Sequence, residues 1–299
     1  MRKVPYFDIQ VADSCNLDCK HCCMKNTLTN NKVDFDSIRR YLLEQPYVKE
    51  VHLAGGEPLL IGSKRILELI NEFPDIHWKM TTNLCFPLTE DRIEVIKRLY
   101  SIQTSFDINI RFGNIRNLLM WYRNCKYILK NVRQDLEVFT IITKYLIRKD
   151  VFRLMSFYNE KMGFHGYKYV ILMNSGNYLN HKDIGVTKEK YVEFMNRVLD
   201  TKDIIHNNTI LLILEKNMTN CFFGDSCQPI NIYGKEQHCG IKEGNETNCR
   251  VAEECLSCKN YHNCGGRCRL VPCMFDEDLY NRVVKEYMGI LKTNHRYMY

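Results

Sequence analysis

The sequence lacks the apolar run of about 18 residues that a membrane-spanning helix needs, and its first residues lack the apolar region of a signal peptide. It also lacks internal repeats and low-complexity linkers. Its formal charge of +7 is spread over 299 residues rather than gathered in one patch. These absences predict a cytoplasmic globular protein without membrane association, and they disfavour nucleic acid as a partner.

Through the first 200 residues, segments of alternating apolar character take turns with segments of helical periodicity. Strands are predicted at residues 6–11, 50–54, 76–82, 102–106, 137–142 and 167–172. Helices are predicted near residues 34–43, 63–72, 90–100, 116–130, 152–161 and 188–199. Six strands alternating with helices predict a parallel sheet whose functional residues lie on loops at its carboxyl edge.

Cysteine is abundant, with 15 residues, and in a reducing compartment thiols bind metals more readily than they form disulfides. Cys15, Cys19 and Cys22 follow the first strand at CxxxCxxC spacing. Three thiolates on one loop can hold three irons of a cubane cluster and leave the fourth iron open. Zinc is the alternative, and it would take His21 or Cys23 as its fourth ligand.

A second motif, Gly55-Gly56-Glu57-Pro58, follows the second strand, where the parallel arrangement places it beside the cysteine loop. Paired glycines let a backbone approach a ligand closely, and the Glu57 carboxylate could receive an ammonium group. CxxxCxxC after a first strand with GGEP after a second resembles the radical S-adenosylmethionine enzymes. His21 stands where that family usually has an aromatic residue.

The resemblance implies a chemistry for this loop. In that family the three cysteines hold a four-iron four-sulfur cluster, and the amine and carboxylate of S-adenosylmethionine chelate the fourth iron. Reductive cleavage gives a 5′-deoxyadenosyl radical, which abstracts a hydrogen from the substrate. The cofactor-binding residues that it implies here are Gly55, Gly56, Glu57, Pro58, Thr82, Asn83, Ser105, Asp107 and Leu172.

Several of these residues also have ordinary structural interpretations. Asn83 could form a turn, Ser105 and Asp107 could cap a helix, and Leu172 could belong to the core. Asp107 is the candidate catalytic acid or base. Other candidates near the carboxyl edge are Asp13, Arg111 and Tyr145.

Nine of the 15 cysteines fall between Cys221 and Cys273. The dense run Cys255, Cys258, Cys264 and Cys268 is too rich for one zinc ion. It resembles the SPASM extension of some radical S-adenosylmethionine enzymes, which holds two auxiliary four-iron four-sulfur clusters.

The resemblance implies a ligand set for each auxiliary cluster. The nearer cluster takes Cys221, Cys227, Cys239 and Cys268. The farther cluster takes Cys255, Cys258, Cys264 and Cys273, with Cys249 as the rival of Cys273.

The expected fold is therefore α/β, a partial (β/α)6 TIM-like barrel followed by a cysteine-rich SPASM domain. The barrel spans residues 4–200, the SPASM domain 201–275, and a C-terminal helix with a tail 276–299. The expected cofactors are three four-iron four-sulfur clusters, one of them binding S-adenosylmethionine, and S-adenosylmethionine itself.

The expected activity is that of an oxidoreductase or maturase that oxidises or cross-links a side chain of a peptide or protein. The alternatives are the same chemistry on a small molecule of the sugar or aminocyclitol type, and a non-catalytic iron-sulfur or zinc protein. Because the barrel begins within about five residues of the N-terminus, a leader peptide would be recognised by a separate protein. A flavodoxin or ferredoxin is the expected electron donor.

Overall fold

A computed structural model describes residues 5–25, 28–107, 109–201, 227–237, 252–261 and 272–293. Seven strands form one sheet in this part of the chain, and every adjacent pair is parallel. They are β1 (Tyr6–Ala12), β2 (Glu50–Gly55), β3 (His77–Thr82), β4 (Ser101–Ser105), β5 (Leu136–Ile141), β6 (Gly166–Val170) and β7 (Gln228–Ile230). Their spatial order is β6-β5-β4-β3-β2-β1-β7. The predicted α/β class with a parallel sheet is confirmed.

Helices connect successive strands and follow the last of them. They are α1 (Phe35–Leu43), α2 (Pro58–Ile61), α3 (Ser63–Glu72), α4 (Glu90–Arg98), α5 (Ile115–Asn131), α6 (Lys149–Met162), α7 (Lys188–Leu199), α8 (Glu253–Leu256) and α9 (Glu277–Thr293). Side chains that accept a backbone N–H begin α1, α5 and α7, at Asp34, Asn114 and Thr187. No helix in the described part of the chain has the length and apolarity to span a membrane.

The sheet has one strand more than the six that the sequence predicts. β7 lies beyond residue 201, where a separate cysteine-rich domain is expected, yet it pairs with β1 over Phe7–Ile9. β7 is only three residues long, and alternation cannot be recognised over so short a segment. Part of the segment after residue 200 therefore extends the main sheet.

One face of the sheet is apolar and packs against helices. Phe7, Ile9 and Leu53 are buried on this face. Trp121 on α5 donates its indole N–H to Thr104 on β4 at 3.0 Å. Burial of such side chains supplies the main favourable free energy of folding.

The other face of the sheet is polar, because side chains alternate between faces along each strand. The ring of His52 hydrogen-bonds Asp8 at 2.9 Å and Thr81 at 3.0 Å. Two more cross-strand contacts lie on this polar face: Lys79 to Glu50 at 2.6 Å and Gln103 to Glu137 at 2.9 Å. Neighbouring strands are thus joined by side chains as well as by backbone.

A buried carboxylate joins the carboxyl ends of β2 and β3. Glu57 is 1% exposed and accepts hydrogen bonds from the backbone N–H of Leu59 and Asn83 and from the Thr82 hydroxyl, at 3.2, 2.6 and 2.7 Å. Burial raises the pKa of Glu57 to about 7, although these hydrogen bonds oppose the rise. The same side chain caps α2, a helix that the sequence did not predict.

Leu53→Ala should lower the free energy of unfolding by about 2–5 kcal/mol, because the side chain is fully buried and its removal leaves a cavity. Urea denaturation followed by circular dichroism measures this change. Leu43→Ala on α1 is the matched control, since Leu43 is 52% exposed. Equal losses in the two variants would contradict the assigned burial.

Glu57→Gln should change the pH dependence of stability. A carboxyl whose pKa is raised from its ordinary value to about 7 holds its proton more tightly in the folded state. Folding is therefore favoured below the unfolded pKa, and this gain is lost as pH rises to about 7. Relative to the variant, the wild type should lose up to about 3 kcal/mol of unfolding free energy between pH 4.5 and pH 8.

Urea denaturation at a series of pH values measures that difference. Glu68→Gln, which removes an exposed carboxylate on α3, should reproduce the wild-type pH profile. A difference between wild type and Glu57→Gln that stays constant with pH would show that Glu57 has an ordinary pKa.

Candidate functional site

The three cysteines of the first motif lie on the loop that leaves β1 at the carboxyl edge of the sheet. Cys15 and Cys22 are half-buried and Cys19 is buried, and none forms a disulfide. The Cys15 sulfur accepts hydrogen bonds from the backbone N–H of Leu17 at 3.4 Å and from the Asn83 amide at 3.6 Å. N–H donors aimed at a sulfur favour a thiolate, which is the form that binds metals.

Burial favours the protonated form of two of these thiols, Cys15 and Cys19, when no metal is bound. It raises the pKa of Cys19 to about 12, and the nearby Arg111 guanidinium opposes this rise. Burial likewise raises the pKa of Cys15. Binding of a metal or cluster would therefore release protons.

Two neighbouring segments hold the cysteine loop from outside. Asn177 donates to the backbone carbonyls of Cys22 and Cys19, at 2.8 and 3.0 Å. Asn16 accepts from the Asn83 amide at 2.9 Å and donates to the Cys85 carbonyl at 2.7 Å. The segments after β3 and β6 thus position the cysteines, and sequence alone could not reveal this support.

The GGEP motif lies beside the cysteine loop, as the parallel arrangement predicts. Gly56 donates its N–H to Ala12 at 2.9 Å, and Glu57 donates to Ser14 at the same distance. A Cβ on Gly56 would stand 2.0 Å from the Ser14 carbonyl oxygen, and Gly55 has φ +120°. Gly55 and Gly56 therefore permit the close approach of two protein backbones, and their contact with a cofactor stays a prediction.

The Glu57 side chain is engaged within the protein. All three of its hydrogen-bond donors come from the protein, and its side chain points into the structure between β2 and β3. Receipt of an ammonium group by this carboxylate stays a prediction. What the structure shows is that Glu57 fixes the position of Asn83, which in turn contacts Cys15.

Asp107 belongs to a buried network with Arg111 and His21. Arg111 Nε donates to Asp107 Oδ2 at 2.6 Å, and the backbone N–H of Ile141 donates to Asp107 Oδ1 at 2.6 Å. Arg111 Nη2 lies 2.9 Å from His21 Nε2. The Asp107 carboxylate is 1% exposed, and both of its oxygens accept hydrogen bonds. Its role as a catalytic acid or base stays a prediction.

His21 is engaged in the same network, which bears on the zinc alternative. Burial lowers the pKa of His21 to about 4, so the ring is neutral at pH 7. Since a guanidinium can only donate, His21 Nε2 accepts from Arg111. Nδ1 of the same ring is buried without a hydrogen-bond partner among the described residues, so ligation of zinc by His21 stays a prediction.

Among the described residues, no three Cys, His, Asp or Glu side chains converge as ligands of a single ion. The cysteines of a cubane site each bind a different iron and need not converge.

The remaining predicted residues occupy separate places along the edge. Ser105 is buried at the end of β4 and lies opposite Phe139 of β5. Leu172 follows β6 by two residues and packs in a small apolar cluster with Ile110 and Tyr178. Contact of Ser105 or Leu172 with a cofactor stays a prediction.

Asp13 has a structural role. It is buried and accepts from Thr29 and Asn31, which follow the cysteine loop.

Four of the eight predicted auxiliary ligands lie in the described part of the chain. Cys227 is fully buried beside β7, Cys255 is buried on α8 one turn before the exposed Cys258, and Cys273 is exposed. The ligands outside the described residues are Cys221, Cys239, Cys264 and Cys268, and the rival Cys249 is also outside them. Both groupings stay predictions.

A family model described as the Radical SAM superfamily matches residues 9–157. Among curated proteins, GTP 3′,8-cyclase of Clostridium botulinum is 23% identical, and the match covers 96% of this chain and 93% of the cyclase. L-lysine 2,3-aminomutase of Acetoanaerobium sticklandii is 21% identical, and the match covers 47% of this chain and 42% of the aminomutase.

Solved structures of Streptococcus suis SuiB have a similar fold at 15% sequence identity. SuiB bound to S-adenosylmethionine has a TM-score of 0.67 over 89% of this chain and 73% of SuiB. SuiB bound to its precursor peptide SuiA has a TM-score of 0.65 over 89% of this chain and 72% of SuiB. This likeness confirms the predicted partial barrel. The family match identifies residues 9–157 as a domain of the Radical SAM superfamily.

Proposed function

We propose that this protein cleaves S-adenosylmethionine reductively and uses the resulting radical to oxidise or cross-link a side chain of a peptide or protein. The observation that carries the proposal is the cysteine loop itself. Three free thiols lie on the loop that follows β1. N–H groups of Leu17 and Asn83 donate to the sulfur of Cys15. The GGEP backbone is hydrogen-bonded to the same loop.

The donor set fits an iron-sulfur cluster with one open iron. Cys15, Cys19 and Cys22 would hold it, and no fourth cysteine is required. A cluster bound there would supply the one electron that cleaves S-adenosylmethionine to methionine and the hydrogen-abstracting 5′-deoxyadenosyl radical. The protein holds the three thiols in place through Asn83 and Asn177.

Partial burial of the loop also limits access of water to the site. Cys19 is 6% exposed, and the apolar core contacts Cys15 and Cys22. A site shielded from water protects a reactive radical from side reactions.

A peptide is the proposed substrate class. SuiB, which shares the fold, is known in a structure with its precursor peptide SuiA. On the polar face of this sheet, the ring of His52 contacts Asp8 and Thr81 across neighbouring strands. Such a face can hydrogen-bond the backbone and side chains of a peptide. Recognition of a leader segment by a separate protein is part of the same proposal.

Two auxiliary clusters complete the proposed enzyme, in a SPASM domain spanning residues 201–275. Their ligands are those that the sequence implies, and Cys249 remains the rival of Cys273. An auxiliary cluster would accept the electron released when the substrate radical is oxidised, or would bind the substrate. A flavodoxin or ferredoxin would supply the electron for the first step.

A small molecule is the second candidate substrate. The match to GTP 3′,8-cyclase covers nearly the whole of both chains, so a purine nucleotide joins the sugar or aminocyclitol type among the small molecules to be tested.

Replacement of Cys15, Cys19 and Cys22 by Ala should reduce formation of 5′-deoxyadenosine from S-adenosylmethionine to the background without protein. Anaerobically reconstituted protein, reduced with dithionite and assayed by chromatography, gives the measurement. Absorbance from the auxiliary clusters should remain. Cys125→Ala removes a thiol that is fully buried on α5 and should leave cleavage unchanged. Cleavage that persists in the triple variant would refute the cluster assignment.

The substrate class is tested by measuring whether a candidate substrate increases the cleavage of S-adenosylmethionine. A short peptide encoded beside the gene should increase 5′-deoxyadenosine formation and should lose hydrogen or gain a cross-link, both visible by mass spectrometry. GTP at the same concentration should not increase 5′-deoxyadenosine formation and should itself remain unchanged. Formation of a cyclised nucleotide with GTP would instead establish the small-molecule alternative.

A further inference from the structure

A buried positive charge lies beside the cysteine loop. The Arg111 side chain is 10% exposed, in the segment that follows β4. This segment contacts the loop directly, because the Ile110 carbonyl accepts the N–H of Lys20 at 3.1 Å. The Arg111 carbonyl also faces the Cys19 sulfur at 3.6 Å. Arg111 is therefore fixed to the part of the loop that carries Cys19 and Cys22.

Three groups determine where the guanidinium lies. Asp107 accepts a hydrogen bond from Arg111 Nε at 2.6 Å, and the ring of His21 accepts one from Arg111 Nη2 at 2.9 Å. The ring of Phe139 on β5 lies under the guanidinium, with 5.9 Å between its centroid and Arg111 Cζ. Contacts from three directions leave the side chain little freedom.

The contact of Arg111 Nη2 with the ring of His21, the residue before Cys22, places this charge beside the cysteine loop. Charges interact more strongly inside a protein than in water because the effective dielectric constant is lower. Burial disfavours the charge on Arg111, whereas the adjacent Asp107 carboxylate favours it and raises the pKa of Arg111.

A cluster that gains one electron becomes more negative by one charge. Net charge close to the cluster is one of the factors that set its reduction potential. A nearby cation stabilises the reduced state more than the oxidised state, and a nearby anion does the opposite. Arg111 and its partner Asp107 should therefore act on the potential with opposite signs.

We propose that the positive charge of Arg111 makes the cluster held by Cys15, Cys19 and Cys22 easier to reduce. Asp107 and His21 orient the guanidinium that carries this charge. The inference rests on the proposed function, which supplies the cluster. The step concerned is a one-electron reduction by an external donor, and no bond in the protein forms or breaks in it.

The test is a potentiometric titration of the reconstituted full chain, with dithionite and redox mediators and with electron paramagnetic resonance as the readout. The relevant signal is the one that changes when S-adenosylmethionine is added and that is missing from the Cys15, Cys19 and Cys22 variant. All potentials are measured without S-adenosylmethionine.

Arg111→Gln should shift the midpoint potential of this signal to a more negative value. Arg111→Lys keeps the charge and should restore most of the shift. Asp107→Asn removes the neighbouring anion and should shift the potential to a more positive value. Lys79→Met, which removes a cation near the amino end of the sheet, where Lys79 pairs in register with Ser101, should leave it unchanged.

Shifts of the same sign at Arg111 and Asp107, or no shift at Arg111, would overturn the inference, because general loosening of the loop produces no opposite pair. If Arg111→Gln does not retain the cluster, Asp107→Asn decides alone: a more positive potential supports the inference, and an equal or more negative one refutes it. A wild-type protein without a signal that responds to S-adenosylmethionine would overturn the proposed function itself.

Discussion

The contact between the backbone after β2 and the backbone after β1 is the constraint on which the site depends. Gly56 approaches Ser14 so closely that a Cβ would lie 2.0 Å from a carbonyl oxygen. A side chain at this position would push the two segments apart. The hydrogen bonds of Gly56 to Ala12 and of Glu57 to Ser14 exist only because of this approach. The position of the cysteine loop thus follows from the size of one glycine.

Beyond this contact, the carboxyl edge is held by buried polar groups rather than by apolar packing. Glu57 connects β2 to β3, and Asp107 connects the end of β4 to Ile141 at the end of β5. A buried polar group without a partner costs about 1–3 kcal/mol, so groups with several partners are strongly fixed in place. The edge is consequently rigid where the thiols need fixed positions, although its loops contain little regular structure.

The sequence predicted the periodic elements well. The bounds of α3 and α7 agree with the prediction to the residue, and those of α5 and α6 differ from it by one to three residues. β7 was missed, since three residues carry no periodic signal. The α/β class and the adjacency of the two motifs also followed from sequence, because parallel strands place their carboxyl ends at one edge.

The internal geometry of the site could not be predicted in the same way. The spacing of Cys15, Cys19 and Cys22 identifies a metal-binding loop without any knowledge of its neighbours. The hydrogen bond between His21 and Arg111 joins residues 90 positions apart, and no local pattern encodes such a pair. The sequence predicts Asp107 as a candidate acid or base, and this stays a prediction; the two protein groups that donate to Asp107 become visible only in the structure.

The two faces of the sheet suggest why the barrel can be both stable and receptive to a polar substrate. In a closed barrel, the interior is filled by layers of bulky branched side chains. Here the apolar side chains that stabilise the fold lie toward the helices, whereas the opposite face holds paired polar groups such as His52 with Asp8. Groups that already have partners lose less when a substrate displaces water from them than unpaired groups would. The apolar face therefore stabilises the fold, and the polar face, with the cysteine loop at its carboxyl edge, is left for the proposed substrate.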